Sequence, residues 1–166
     1  MGDVVAALPP LLEYGHYGGD WQRYIDDVFA IFHRDLIAAR AHFKGLPVSL
    51  DARMGPDGKE EGFWHLTSTG PKDARLPDFG RCARVPWLRP LIERPPGPGA
   101  MWWQDERKGR TRDLVADPAF SYLIVLQTDK RRAVLITAIH NDRQHRRIKL
   151  EKEWRKYHQN AFGAPP

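Results

Sequence analysis

The sequence predicts an α+β domain, a mainly antiparallel sheet of four to five strands packed by a long N-terminal helix and a basic C-terminal helix. Three observations carry this. Trp21, Tyr24, Ile25, Val28, Phe29 and Phe32 recur at the spacing of one helix face. Residues 122–127 and 133–139 are continuous apolar, β-branched runs around a polar turn at 128–132, as a hairpin covered on both faces requires. Residues 141–159 are polar and helix-prone, with a thin apolar stripe of Leu150, Trp154, Tyr157 and Ala161. At 166 residues the chain has the length of a single domain, 1–166, with enough mass to bury a core.

Each element follows in order. An irregular arm, 1–19, comes first, because Pro9-Pro10 and Gly18-Gly19 break periodic structure. Asp20 stands as the N-cap of a helix over about 21–43, and Gly45 is placed to stop it. Residues 48–53 read as a short strand, 54–59 as a turn cluster and 63–67 as a second strand, so the two runs make a hairpin with His65 and Trp64 on opposite faces. Residues 70–80, with two Pro and two Gly, read as loop. A short helix over about 88–94 accepts Pro90 in its first turn. The breaker at 95–99 belongs to an internal loop, 95–101, since one small core has segments on both sides of it.

The formal net charge of +5 is unevenly placed. Residues 1–80 hold 8 Lys/Arg and 12 Asp/Glu, whereas residues 81–166 hold 18 and 9, so a balance of −4 is followed by one of +9. This division points either to a polyanion on one surface or to two halves that attract each other. The single cysteine, Cys82, excludes an intrachain disulfide framework and fits a reducing, cytoplasmic setting. No run reaches the roughly 18 apolar residues of a membrane span, and no signal pattern opens the chain.

Several familiar chemistries lack support. Tyr24-Ile25-Asp26-Asp27 matches the YxDD string of reverse transcriptases, but it lies in the helical stripe with both aspartates on the solvent face. The two-metal chemistry of that string needs a strand–turn–strand setting and a further carboxylate. The histidines show no zinc-binding spacing, one cysteine builds no metal cluster, and no glycine-rich phosphate loop occurs. No cofactor and no metal are expected.

What remains suits a phosphodiester handled without a metal. That chemistry needs a base for the ribose 2′-hydroxyl, an acid for the leaving 5′-oxygen, and cations on the developing charge. His65, on a strand expected beside the core, is either the base or a histidine satisfied within the sheet; Thr67 shares its face. Residues 102–112 mix aromatics and cations most densely. Trp102 and Trp103 either stack on bases or plug the core, while Arg107, Lys108, Arg110 and Arg112 reach phosphates or solvate a turn. Glu106 is a second acid–base group or an ion-pair partner. Thr137 puts a hydroxyl where an apolar strand needs none, as a phosphate ligand or simply a β-former. The C-terminal helix, with seven Lys/Arg against three Asp/Glu, lies along nucleic acid or against an acidic partner protein.

Phe63, Trp64, His65, Leu66 and Thr67, the stretch from Arg81 to Glu93, residues 103–112, the strands at 122–126 and 135–138, and the helix at 146–150 together resemble one family. They are similar to the phage-associated branch of the barnase–EndoU–colicin–RelE superfamily of small ribonucleases, over nearly the whole chain and most clearly over 63–157. The resemblance implies helices on a four- or five-stranded antiparallel sheet and a metal-independent endoribonuclease of toxin or phage-conflict type. RNA, including tRNA, and a neutralising antitoxin are the implied partners. His65, Lys108, Arg110 and Thr137 occupy matching kinds of position, with Glu106, Tyr157 and His140 contending for the acid. Arg84, Trp103, Arg107, Arg112, Arg143, Arg146, Arg147 and Tyr157 are the expected nucleic-acid contacts. Two other classes stay open: a non-catalytic nucleic-acid-binding protein, and an antitoxin or adaptor of a mobile-element system.

Overall fold

Asp20 accepts the Arg23 amide hydrogen at 3.0 Å and so caps α1 (Trp21–Phe32), whose Tyr24, Ile25, Val28 and Phe32 turn into the core. In this computed structural model, residues 4–162 are described. The first three residues of the expected arm, and 163–166 at the end of the expected domain, lie outside them. Asp26 and Asp27 face outward from α1, Asp26 toward Lys59 at 3.2 Å and Asp27 accepting from the Tyr17 hydroxyl at 2.8 Å.

Helical backbone continues through a wider π-type stretch (His33–Ala38) and stops at Ala39, which is extended, rather than running to 43. The chain then forms β1 (His42–Phe43) and β2 (Leu46–Ser49), joined by Lys44 and Gly45 at φ 49° and 83°. Two left-handed residues are what a tight hairpin turn demands. Gly45 therefore turns a hairpin and does not end a helix.

Residues 63–67 are not a strand. They lie in α2 (Glu61–Thr67), with Phe63, Leu66 and Thr67 at helical spacing on its buried side. Apolar residues at 63, 64 and 66 satisfy a short helix as well as a short strand, and the tertiary contacts decide. The two-residue strands β3 (Ser68–Thr69) and β4 (Leu76–Pro77) pair beside it. Next come α3 (Phe79–Ala83), capped by Asp78, and α4 (Leu88–Glu93), which carries Pro90 in its first turn as expected.

The second half builds most of the sheet: β5 (Met101–Arg107), β6 (Arg110–Ala116), β7 (Tyr122–Thr128) and β8 (Ala133–His140), then α5 (Gln144–Phe162). The main sheet has six strands in the order β1-β2-β8-β7-β6-β5, antiparallel except for the parallel pair β2–β8. The α+β architecture stands, but the sheet is larger and mixed. Two hairpins account for the difference. Residues 101–116 form β5–β6 around Lys108 and Gly109 (φ 52° and 70°), where the sequence suggested no strand, and β1–β2 adds the parallel edge.

One face of the sheet carries Val115, Tyr122, Ile124, Leu126, Leu135 and Ala138 against the helices α1 to α4. The other carries Trp103, Leu114, Ala116, Phe120, Leu123 and Val125, which α5 covers with Leu150, Trp154 and Tyr157. Burial on both faces is why β7 reads as an unbroken apolar run, with about 1.5–3 kcal/mol gained by each large side chain removed from water. The sheet curls so far that Lys44, between β1 and β2, lies 3.8 Å over the ring of Trp102 on β5. α5 covers only part of the outer face, and the uncovered part is where the candidate residues gather.

Candidate functional site

β2 pairs with β8 through only two residues, Val48 with Ala133 and Ser49 with Val134. Beyond Ser49 the chain leaves the sheet, and Asp51 and α2 stand beside the remaining length of β8. A cavity of about 430 Å³ opens there, lined by Asp51, Gly62, His65 and Val134 to Thr137. Gly62 sets the fit of α2 against residues 50–51: a Cβ there would lie 2.6 Å from Leu50 Cδ1 and 2.9 Å from the Asp51 carbonyl oxygen. The Gly62 amide donates to that same carbonyl at 2.9 Å. On β8, a register shift opposite Val125 and Leu126 leaves Ile136 outside the pairing and 44% exposed, so that Thr137, opposite Val125, turns to the outer face.

His65 is exposed on α2, opposite the buried Phe63 and Leu66. It is not a core-adjacent strand residue, but the structure does bring it and Thr137 into one cavity. Arg53 holds both oxygens of Asp51, at 2.9 and 2.6 Å, and this pairing holds the Asp51 carboxyl down to about 2, with the nearby His65 acting in the same direction. Asp51 is therefore an anion at neutral pH, able to accept a hydrogen bond from an imidazole and unable to donate a proton. Glu61, buried one helical turn before His65, is likewise held low, chiefly by Arg75 at 2.9 Å.

A second cavity, of about 330 Å³, lies at the end of the β5–β6 hairpin and is lined by Arg107, Lys108, Arg110, Arg112 and Gln127. Arg107 and Arg110 are directly opposite in the pairing, an arrangement that like charges normally disfavour. Arg112 is tied to Asp105 at 2.8 and 2.5 Å. Among the described residues Arg107, Lys108 and Arg110 have no ion-pair partner and all three are exposed. Alternation along the strands puts Trp103, Asp105 and Arg107 on the outer face with Leu114, Arg112 and Arg110, and leaves Glu106 opposite Thr111 on the inner face. Glu106 is thus turned away from the cations it was expected to join.

The two cavities share a side of the sheet. Gln127, in the second, is paired in register with Val134, which lines the first. Strand spacing of about 4.8 Å puts β6 roughly 10 Å from β8, so the hairpin cations and His65 do not meet at one atom.

Other expected contacts fall elsewhere. Trp103 is 1% exposed and packs in the outer core, so it offers no face to a base. Tyr157 is half-buried, edge-on to Trp102 at 6.0 Å, with its hydroxyl donating to Gln104 Oε1 at 3.4 Å. Thr67 is fully buried and donates to the Phe63 carbonyl at 2.8 Å. Arg84 is half-buried, 5.2 Å over the Trp87 ring, and burial lowers its pKa. Arg143 and Arg146 are exposed where α5 begins, Arg147 is half-buried, and His140 closes β8. Burial pushes the Cys82 thiol up to about 12, which leaves it inert as a nucleophile.

Asp51, Gly62 and Gln127 were not among the expected site residues. Gly62 lies three positions before His65 in sequence, but nothing local marks its close approach to residue 51. Among the described residues no group of three or more His, Cys, Asp or Glu is placed to hold a metal ion, and no helix is long and apolar enough to cross a membrane. Comparison with known protein families, with curated proteins and with solved structures finds no match.

Proposed function

We propose that this chain is a metal-independent endoribonuclease that cuts RNA by 2′-hydroxyl attack in the cavity shared by His65 and Thr137. The observation that supports it is the placement of an accessible imidazole and a hydroxyl in one cavity, with an unpaired cluster of cations on the same side of the sheet. His65 takes the proton from the ribose 2′-hydroxyl, and Asp51 stabilises the imidazolium that results. The 2′-oxygen forms a bond to phosphorus as the bond to the 5′-oxygen breaks, leaving a 2′,3′-cyclic phosphate and a 5′-hydroxyl. Thr137 donates a hydrogen bond to a non-bridging oxygen. Arg107, Lys108 and Arg110 hold phosphates flanking the cut rather than the phosphate attacked.

Among the described residues no acid besides the imidazolium itself lines the cavity, so the leaving oxygen takes its proton from His65 or from water. A single general base contributes about 10²–10⁴-fold, which makes this a slow enzyme or one that depends on a well-held substrate. In this reading the partners are RNA, including tRNA, and a neutralising protein of antitoxin type, in a toxin or phage-conflict setting within the cytoplasm.

The test is incubation of total RNA and of tRNA with the purified protein in EDTA, with end-group analysis. Cyclic phosphate ends that vanish with His65→Ala support the proposal; intact RNA sinks it. The second reading, a nucleic-acid-binding protein without cleavage, draws on the distance between the cations and His65. It predicts salt-sensitive binding that is indifferent to His65→Ala.

A further inference from the structure

A third cluster gathers where β8 ends, away from both cavities. The His140 imidazole lies against Gly80 of α3, where a Cβ would fall 2.0 Å from Nδ1. Arg84, just past α3, donates from Nη1 to the Gly80 carbonyl at 3.1 Å. Arg147, in the first turn of α5, donates from Nε to the Asn141 carbonyl at 2.7 Å. Two guanidinium groups are therefore fastened to the residues on either side of one imidazole, each through a neutral carbonyl.

The cluster also holds unused donors. Arg84 Nε and the Tyr122 hydroxyl are buried and, among the described residues, have no hydrogen-bond partner. Tyr122 is 0% exposed and sits opposite His140 in the β7–β8 register. The carboxylates nearby are engaged with other groups. Asp117 accepts from the Ser121 hydroxyl and the Tyr122 amide at 2.8 and 2.7 Å. Asp78 accepts the Arg81 amide at 3.0 Å and lies 3.5 Å from the Arg81 guanidinium. Asp142 is exposed. Burial, then the charge of Arg84, lowers the pKa of His140; Asp78 and Asp142 partly oppose this, and Arg147 adds the smallest lowering. Half-buried cations close enough for Arg147 to act on Arg84 are costly, and an anion with several acceptor oxygens offsets that cost.

We propose that Arg84, His140 and Arg147 form a phosphate-binding subsite that takes a phosphate group of a nucleotide ligand. Planar guanidinium groups suit phosphate oxygens bidentately, and the Tyr122 hydroxyl and Arg84 Nε supply donors behind them. The choice of a nucleotide rests on the ribonuclease reading; the phosphate chemistry does not.

The experiment follows the His140 ring resonances by NMR as inorganic phosphate is added, against chloride at matched ionic strength, with His140→Gln for assignment. Phosphate is expected to shift the resonance and raise the His140 pKa, and Arg147→Gln to weaken the effect roughly tenfold. Arg147→Lys, which keeps the charge and loses the fork, is expected to fall between. Deoxydinucleotides, which no 2′-hydroxyl mechanism can cut, then separate the two sources of phosphate. A shift only with a terminally phosphorylated dinucleotide assigns the subsite to a chain end, and an equal shift without terminal phosphate assigns it to an internal phosphodiester. An unmoved resonance, or one that moves equally in Arg147→Gln, overturns the subsite. Cleavage dependent on His65 would be untouched by that result, and a silent cleavage assay would leave the His140 shift standing.

Discussion

The two cavities on the outer side of the sheet are assembled in opposite ways. The hairpin cavity takes four of its five lining residues from one tight turn, so its charge is written contiguously at 107–112. The β8-edge cavity draws on residues 51, 62, 65 and 134–137, joined by a parallel pairing two residues long and a close glycine contact. The first is a local feature that any fold exposing this turn would have. The second exists only when the whole molecule is correctly packed. Binding strength should therefore follow the hairpin, and chemistry the β8 edge.

The largest effect separates these roles directly. His65→Ala is expected to lower RNA cleavage by about 10²-fold or more while leaving RNA affinity unchanged in a filter-binding assay. Because His65 is exposed on α2, alanine suits its backbone and the fold is retained, so melting temperature serves as the control. A loss of affinity equal to the loss of rate would place His65 in binding and erase the distinction. Gly62→Ala attacks the same cavity through packing. The new Cβ meets a backbone oxygen at 2.9 Å, which α2 can relieve only by moving, at a cost of about 1–3 kcal/mol in chemical denaturation. Cleavage should fall with it, whereas hairpin-dependent binding in the folded fraction should persist.

The hairpin side gives a smaller, graded effect. Replacing both Arg107 and Arg110 with alanine is expected to weaken RNA binding about tenfold and to reduce the slope of log K against log salt by about 1.4, at roughly 0.7 per lost phosphate contact on a single strand. An unchanged salt slope would remove the hairpin from the RNA path. Neither residue has an ion-pair partner among the described residues, so stability should hardly change.

The same local-versus-assembled division explains what the sequence disclosed. The α1 stripe, its Asp20 cap, the β7–β8 hairpin and α5 all rest on periodicity within one segment, and all form. The 63–67 run failed because five residues cannot separate period 2 from period 3.6, and the burial of Phe63 and Leu66 against Phe32 and the sheet settled it as helix. Residues 101–116 hid a hairpin because their tip is charged and their tryptophans split, Trp102 to the inner face and Trp103 to the outer. His65 and Thr137 were visible singly as a base and an unneeded hydroxyl. Their meeting depends on where β2 ends, and no short-range pattern encodes that. Asp51 was invisible for the same reason.

Asp51 also provides the smallest effect, and one that tests the cavity without RNA. Its carboxyl titrates at about 2 in the folded protein, held down chiefly by its hydrogen bonds to Arg53, against about 3.9 in an unfolded chain. A depressed carboxyl contributes stability that is fully present above the unfolded value and is lost as pH falls toward the folded one. Acid unfolding followed between about pH 5 and pH 2 should thus show a contribution that disappears in Asp51→Asn, small because its partner Arg53 is exposed. His65 lies close enough for its charge to help hold Asp51 down. Because both line one cavity, Asp51→Asn should also move the His65 ring resonances at fixed pH in an NMR spectrum, since the imidazole loses a neighbouring anion. His65 resonances indifferent to residue 51 would break the β8-edge cavity as a unit and leave the hairpin as the molecule's principal nucleic-acid contact.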